Sequence, residues 1–269
     1  MPGSNRSFAT NPMLANDAPY TIDAFHRGRF HLLQPAAKGH RSGVDAMILA
    51  SVVPDEFKGH VADLGAGAGA AGLAVLSRCS TARASLIERS DFMADFARRS
   101  LALPENKAFA SRAEVIEADV TLTGRARVAA GLGDNGFDFV IMNPPFNPPT
   151  DRSTPDPVKA EAHVMTQGMM EQWIRTAAAI VKPGGAIGII ARPTSIADLL
   201  DALKGRFGGL IIVPVQPRPQ DAAIRIVIKG IRGSRAGLSL HPALVMHHET
   251  GNGFTERANA INNGLASLF

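Results

Sequence analysis

Cysteine is almost absent from this chain: Cys79 is the only one in 269 residues. One thiol excludes an intrachain disulfide and a cysteine-based metal cluster within a single chain. Long apolar runs are lacking too, and no stretch approaches the roughly 18 residues of a membrane span. The opening MPGSNRSFATNPMLANDAPY has neither a basic n-region nor an apolar h-region, so a secretory signal is not expected. Strong charge of one sign is also missing. The net charge is +4, from 28 basic and 24 acidic side chains, a bias that permits an anionic partner without requiring one. Together these absences point to a reduced, cytoplasmic, soluble protein.

Hydrophobic residues make up 45% and charged residues 19%, enough apolar material for one large α/β domain with appendages. Residues 1 to 20, rich in Asn, Pro, Ser and Ala, are expected to be disordered. Residues 21–57 read as an N-terminal helical cap, because VDAMILASVV after Gly43 repeats apolar residues at helical spacing and stops before Pro54. Residues 58–230 form the core, and 231–269 an extension packed on it, with a strand in GLSLHPALVMH and a final helix in TERANAINNGLASLF.

Within the core, short apolar runs alternate with helical stretches. Strands are expected at 60 to 64, 84 to 88, 113 to 119, 137 to 143 and 185 to 191, with helices at 70 to 79, 91 to 103, 162 to 181 and 195 to 207. Ser195 is a candidate N-cap, and the segment Lys182 to Gly185 a helix stop. Two last strands, 210 to 215 and 222 to 230, are separated only by a polar Gln-Pro-Arg-Pro-Gln-Asp turn. That is too short for a helix, so the two read as an antiparallel pair. The fold class is therefore α/β, a doubly wound, seven-stranded, mostly parallel sheet with one antiparallel strand from a closing hairpin.

Asp63-Leu64-Gly65-Ala66-Gly67-Ala68-Gly69 follows the first core strand and opens a helix. Alternating glycines let the backbone turn sharply and bring a ligand against bare main chain, and helix N-terminal amides favour an anion. The same loop satisfies GxGxxG, so by itself it does not separate a dinucleotide from S-adenosylmethionine. Its neighbours do. Asp63 can order the loop and attract an ammonium group, Glu88 at the second strand end can accept from ribose hydroxyls, and Asp119 at the third can accept from an adenine amine. Each alone could be a solvated carboxylate, but ligands of open α/β sheets bind outside the strand carboxyl ends, where all three acids fall.

The fourth strand runs into Asn143-Pro144-Pro145-Phe146. Proline biases the residue before it towards extended backbone and has no N–H of its own. The loop thus offers acceptors, the Asn143 side-chain oxygen and the Pro144 carbonyl, with few competing donors. That suits an –NH2 group with two hydrogens to give, and Phe146 can stack on the ring that carries it. Taken alone, the tetrapeptide could equally be a rigid turn with a core Phe.

The glycine loop and the Asn-Pro-Pro-Phe tetrapeptide together resemble the class I (Rossmann-like) methyltransferases that methylate exocyclic amines of adenine or glutamine amides. Within that group the chain, over roughly residues 25 to 268, looks most like the bacterial tRNA(Val) adenine-N6 methyltransferases. The run Gly43 to Leu49 and the strand Arg225 to Gly230 add to the likeness, whereas Phe146 stands where that subgroup more often has Tyr. The resemblance implies S-adenosylmethionine as cofactor, with Asp63, Gly65, Gly67, Gly69, Glu88 and Asp119 holding it and Asp45 near its methionine end. It implies Asn143, Pro144, Pro145 and Phe146 as the catalytic loop, a tRNA or other RNA as partner, and no metal.

Two basic clusters, Arg27, Arg29, Lys38, His40 and Arg41, and Arg218, Arg225, Lys229, Arg232 and Arg235, could contact phosphates or be solvated surface charge. His247-His248-Glu249 lacks a second ligand pair at helical spacing, so a metal site is not expected. Trp173 with Met165, Met169 and Met170 reads as helix core. Alternatives to RNA adenine methylation are glutamine-amide methylation, small-molecule O-methylation, and a non-catalytic RNA-binding module with a vestigial pocket.

Overall fold

A computed structural model describes residues 18–36, 42–145 and 168–269. The expected disorder of residues 1 to 20 falls almost wholly outside them. The central sheet uses β3 (His60–Leu64), β4 (Arg83–Glu88), β5 (Ala113–Glu117), β6 (Phe137–Met142), β7 (Val181–Ala191), β8 (Phe207–Gln216) and β9 (Arg225–Arg232). Their order across the sheet is β8-β9-β7-β6-β3-β4-β5, and all pairings are parallel except those of β9 with β7 and β8. This is the seven-stranded sheet with one reversed strand that the sequence leads one to expect. Two short strands, β10 (Ser239–Leu240) and β11 (Leu244–Val245), extend it by pairing in parallel with β8. The extension from residue 231 therefore adds sheet as well as helix.

Strands such as β6 (FDFVIM) are buried along nearly their whole length, the near-continuous apolar run that a parallel strand covered on both faces requires. One face packs on α1 (Val44–Ala50), α2 (Ala70–Arg78) and α3 (Asp91–Leu101), with Leu49, Leu73, Leu76 and Phe96 in its core. The other packs on α5 (Met169–Ile180) and α6 (Ile196–Leu203), through Trp173, Ile174, Leu199 and Leu203; a short α4 (Gly124–Ala129) precedes β6. Ser90 caps α3, its hydroxyl accepting from the Met93 N–H, while Asp91 opens the helix and Arg98 and Arg99 close it, as the helix dipole favours. Ser195 does precede α6, but its side chain makes no capping bond.

Two sequence expectations change. Lys182 to Gly185 is part of β7 rather than a separate stop: the helix ends at Ile180 and the strand starts at Val181. Gly184 there takes a φ of +77°, and the β6–β7 register shifts beside it. The start expected for that helix, residues 162 to 167, lies outside the described residues. The segment 21–57, read as a helical cap, holds a β-hairpin before its helix: β1 (Tyr20–Phe25) pairs antiparallel with β2 (Phe30–Pro35). Tyr20, Ile22 and Ala24 face outward and β2 is almost entirely buried, a pattern without the helical spacing that the next segment carries.

Asn106 fastens the hairpin to the core. Fully buried, it accepts from the His31 N–H at 2.9 Å and donates to the carbonyls of His31 and Ser100. The Ser100 hydroxyl accepts from the Leu33 N–H at 3.0 Å. The other end of the chain is tied to α1: α7 (Glu256–Asn262) packs near it, and the Leu268 N–H donates to the Ser51 carbonyl at 2.7 Å. Replacing Asn106 by Ala leaves the half-buried His31 backbone groups and the buried Ser100 carbonyl without this partner and is expected to cost about 1–3 kcal/mol of stability. Denaturant unfolding checks this; a change under about 0.5 kcal/mol, the level of an ordinary surface substitution, would mean the clamp is dispensable.

Candidate active site

The turn from β3 into α2 is built around one buried carboxyl. Asp63, 3% exposed, accepts from the Gly72 N–H at 2.8 Å and so joins the strand end to the first turn of the helix. Gly72 packs tightly on the next strand: a Cβ there would lie 2.2 Å from Leu86 Cδ2 and would force that side chain to shift. Gly65 and Gly67 take φ of +70° and +56°, and the N–H groups of Gly65 and Ala66 donate to the Ile87 carbonyl at 2.9 and 3.0 Å. At the end of β4, Glu88 accepts from the Gly67 N–H and from the Ser90 N–H, both at 2.9 Å. The loop is thus held from both sides by acids. Burial pushes the Asp63 carboxyl up to about 7, against the Gly72 bond that lowers it, and the neighbouring Glu88 charge adds to the rise. Burial likewise raises Glu88, against its backbone hydrogen bonds.

These residues line a cavity of about 490 Å³ over the carboxyl ends of the strands, within the range for small-molecule sites. Asp119 lies two residues past the end of β5, in a turn where it accepts from the N–H and hydroxyl of Thr121 at 2.8 and 2.7 Å. Asn143, Pro144 and Pro145 follow β6 directly and line the same cavity. Asn143 Oδ1 is buried and has no hydrogen-bond partner among the described residues. Asp45, in the first turn of α1, also lines the cavity and accepts from Arg225 Nε at 2.9 Å.

Of the residues singled out from sequence, Asp45, Asp63, Gly65, Gly67, Glu88, Asp119, Asn143, Pro144 and Pro145 converge on this cavity. Gly69 does not. It caps α2 with a φ of +95°, and a Cβ there would lie 2.7 Å from Leu86 Cδ1, so its part is in packing helix on strand. Phe146 lies outside the described residues. Trp173 and Met169, read as core, are also cavity wall: a Cβ on Gly65 would sit 2.6 Å from Trp173 Cη2, which makes the glycine and the indole complementary surfaces. Arg192, just past β7, lines the cavity as well. Its only signal in the sequence is its position after the buried run GAIGIIA, a strand end like the others.

Several members of the basic clusters have structural partners. Arg218 donates to the carbonyls of His248, Glu249 and Gly251 at 2.6, 3.2 and 2.8 Å, Arg232 to Asn135 and the Val181 carbonyl, and Arg29 to the Gly264 carbonyl at 3.3 Å. Lys229 lies over the Phe269 ring at 4.9 Å. Lys38, His40 and Arg41 lie outside the described residues. His247 stacks on Phe254. Among the described residues no group of three or more His, Cys, Asp or Glu could hold a metal ion, and no helix is long and apolar enough to cross a membrane.

Residues 41–214 match the family model of the methyltransferase small domain. No curated protein matches the sequence. Among solved structures, a predicted O-methyltransferase from Agrobacterium tumefaciens is 48% identical, with 83% of this chain and 97% of that one covered at a TM-score of 0.73. TYW2 from M. jannaschii in complex with AdoMet is 13% identical over 80% of this chain and 86% of that one, TM-score 0.54. The T. thermophilus 16S rRNA N2 G1207 methyltransferase, in complex with AdoMet and guanosine, is 18% identical over 80% and 50%, TM-score 0.51. The last two likenesses are of fold.

A carboxyl raised in the folded state binds its proton more tightly there than in the unfolded chain, so folding stability falls as pH rises. For Asp63 the window runs from the ordinary 3.8 to about 7, and Glu88 acts in the same direction. Asp63→Asn keeps an acceptor for Gly72 and removes this titration. Thermal unfolding of the ligand-free protein between about pH 4.5 and 7.5 should show the variant losing less stability than wild type; parallel curves would mean that Asp63 is not held in this way.

Proposed function

The chain belongs to the methyltransferase small domain family, and on that premise we propose that it methylates the N6 amine of adenine in a tRNA. It is an S-adenosylmethionine-dependent methyltransferase. When bound, that cofactor supplies an electrophilic methyl group on a sulfonium centre. The cavity fits it. Asp63, buried with its carboxyl raised to about 7, gains from a nearby cation and would attract the cofactor's amino group. Glu88 would accept from the ribose hydroxyls; it already accepts from the backbone N–H groups of Gly67 and Ser90, and a carboxylate has room for more. Asp119 would accept from the adenine amine, Gly65 and Gly67 would let the ligand lie against bare backbone, and Asp45 would stand near the methionine end.

One observation carries the acceptor assignment: Asn143 Oδ1, buried on the cavity wall, without a partner among the described residues. An unmatched buried acceptor costs about 1–3 kcal/mol, and such exceptions call for an explanation. Pro144 and Pro145 cannot supply the missing donor, having no N–H. A planar –NH2 can. Asn143 Oδ1 and the Pro144 carbonyl would each take one of its hydrogens, which draws the nitrogen lone pair out of ring conjugation, and Phe146 would stack on the ring. An amine held in this way needs no general base, whereas a hydroxyl acceptor does. The choice of tRNA follows the resemblance of the loop pair to the tRNA adenine-N6 enzymes, with the cytoplasm as the proposed setting.

Single-turnover transfer to an unmodified tRNA transcript, followed by nucleoside mass spectrometry, tests the assignment; N6-methyladenosine is the expected product. Asn143→Ala should slow transfer by about 10²–10³ with cofactor affinity nearly intact, because the lost contact strengthens as positive charge develops on nitrogen. Transfer near the wild-type rate would point to an oxygen or carbon acceptor instead. Glu88→Gln should weaken S-adenosylhomocysteine binding by about 1–3 kcal/mol, the range for a hydrogen bond to a charged group. Unchanged affinity in calorimetric titration would remove Glu88 from the cofactor site.

A further inference from the structure

One polar side chain interrupts an apolar face of the N-terminal hairpin. Phe30, Leu32 and Gln34 alternate along β2 and so share a face of it. The first two are fully buried core residues, and Gln34 is 1% exposed. An apolar side chain there would need no partner, whereas a buried amide must match both of its ends. Gln34 matches them on two different segments. Its Nε2 donates to Asp23 Oδ2 on β1 at 2.7 Å, and its Oε1 accepts from the Ser42 N–H at 2.7 Å. Asp23 also accepts from the Thr21 hydroxyl at 3.2 Å.

Ser42 is where the hairpin meets the cavity. Ser42, Gly43 and Asp45 all line it, and α1 begins at Val44. Gly43 stands at the N-cap of that helix and makes no side-chain capping bond, so the first turn lacks the fixing contact that Ser, Thr, Asp or Asn gives. Ala46 to Ala50 are buried and hold the body of the helix on the core, but burial is non-directional and leaves the first turn to be set by hydrogen bonds. Two of these act from outside the helix. Gln34 holds the Ser42 N–H, and Asp45 accepts from Arg225 Nε at 2.9 Å. The cavity lip at residues 42–45 is thus pinned on either side. A misplacement of about 1 Å in a group that holds a reactant is enough to cost on the order of 10²-fold in rate.

We propose that Gln34 is a positioning residue for methyl transfer: from the hairpin it sets the lip at residues 42–45, against which the methionine end of S-adenosylmethionine lies. This rests on the placing of that end near Asp45. The full-length chain is titrated calorimetrically with S-adenosylhomocysteine and with 5′-methylthioadenosine, which keeps the adenosine and the sulfur but lacks the amino acid. The wild type should prefer S-adenosylhomocysteine. Gln34→Met, equally long and apolar, should weaken that ligand about tenfold and leave methylthioadenosine unchanged. Gln34→Asn, one methylene short of Ser42, should show the same selective loss and serves where the methionine variant does not fold. Gln34→Glu keeps the acceptor for Ser42 and should retain part of the preference. Equal losses for both ligands would make Gln34 a residue of the fold alone and overturn the proposal, as would unchanged binding of both. Asp45→Ala separates the proposal from the placing it rests on. A preference lost in Asp45→Ala but kept in Gln34→Met overturns the role of Gln34 and leaves the placing standing. The reverse removes Asp45 from the methionine end and leaves Gln34 acting through Ser42 and Gly43. A wild type that binds the two ligands equally overturns both.

Discussion

The placement of β3 between β4 and β6 is the constraint on which the rest of the molecule depends. Successive strands run β3, β4, β5 to one side and β6, β7 to the other, so the chain reverses direction across the sheet beside β3. At such a switch point the loops leaving neighbouring strands diverge and open a crevice over the carboxyl ends. Asp63, Glu88, Asp119 and Asn143 line the cavity because their strands end there. The hairpin of β8 and β9 adds the reversed strand, whose beginning, rather than its end, reaches the same edge. That is how Arg225 joins a row of residues that otherwise close parallel strands.

Within that frame, Asp63 carries the tension of the site. A carboxyl with 3% exposure sits badly as an anion, and the Gly72 N–H compensates only in part, so its proton is held up to about pH 7. A cationic ligand reverses the balance, since an opposite charge nearby favours the ionised form. Shifted groups in a cleft are a mark of functional sites, and this one also ties the strand to the helix.

The basic residues show why composition is a weak guide to partners. Arg218 ties down the 248 to 251 loop, Arg232 bridges to Val181 and Asn135, and Lys229 covers Phe269. These contacts hold the C-terminal extension and its neighbours to the core, much as Asn106 holds the N-terminal hairpin. A net charge of +4 therefore reflects in part how the ends of the chain are fastened. The arginines that line the cavity, Arg89, Arg192 and Arg225, stand at or beside the termini of strands, and the first two lie in neither cluster.

The sequence by itself determined the sheet, the glycine loop, the three acids and the Asn-Pro-Pro turn, because each is written in local chemistry. Apolar runs of strand length, glycines that need positive φ and prolines without N–H act within a few residues of where they stand. It did not determine the hairpin of β1 and β2, whose burial comes from packing on α3 and not from its own period. Nor did it distinguish Gly69, whose missing Cβ makes room for Leu86, from Gly65 and Gly67, which open the cavity. Trp173 read as core because a helix pattern records that a face is apolar, and cannot say whether that face meets protein or a ligand. The pairing of Asp45 with Arg225, 180 residues apart, and the row of charges along the sheet edge were decided only by tertiary structure. Strand order is set by long-range packing, and no local rule of the sequence encodes which strand end stands next to which.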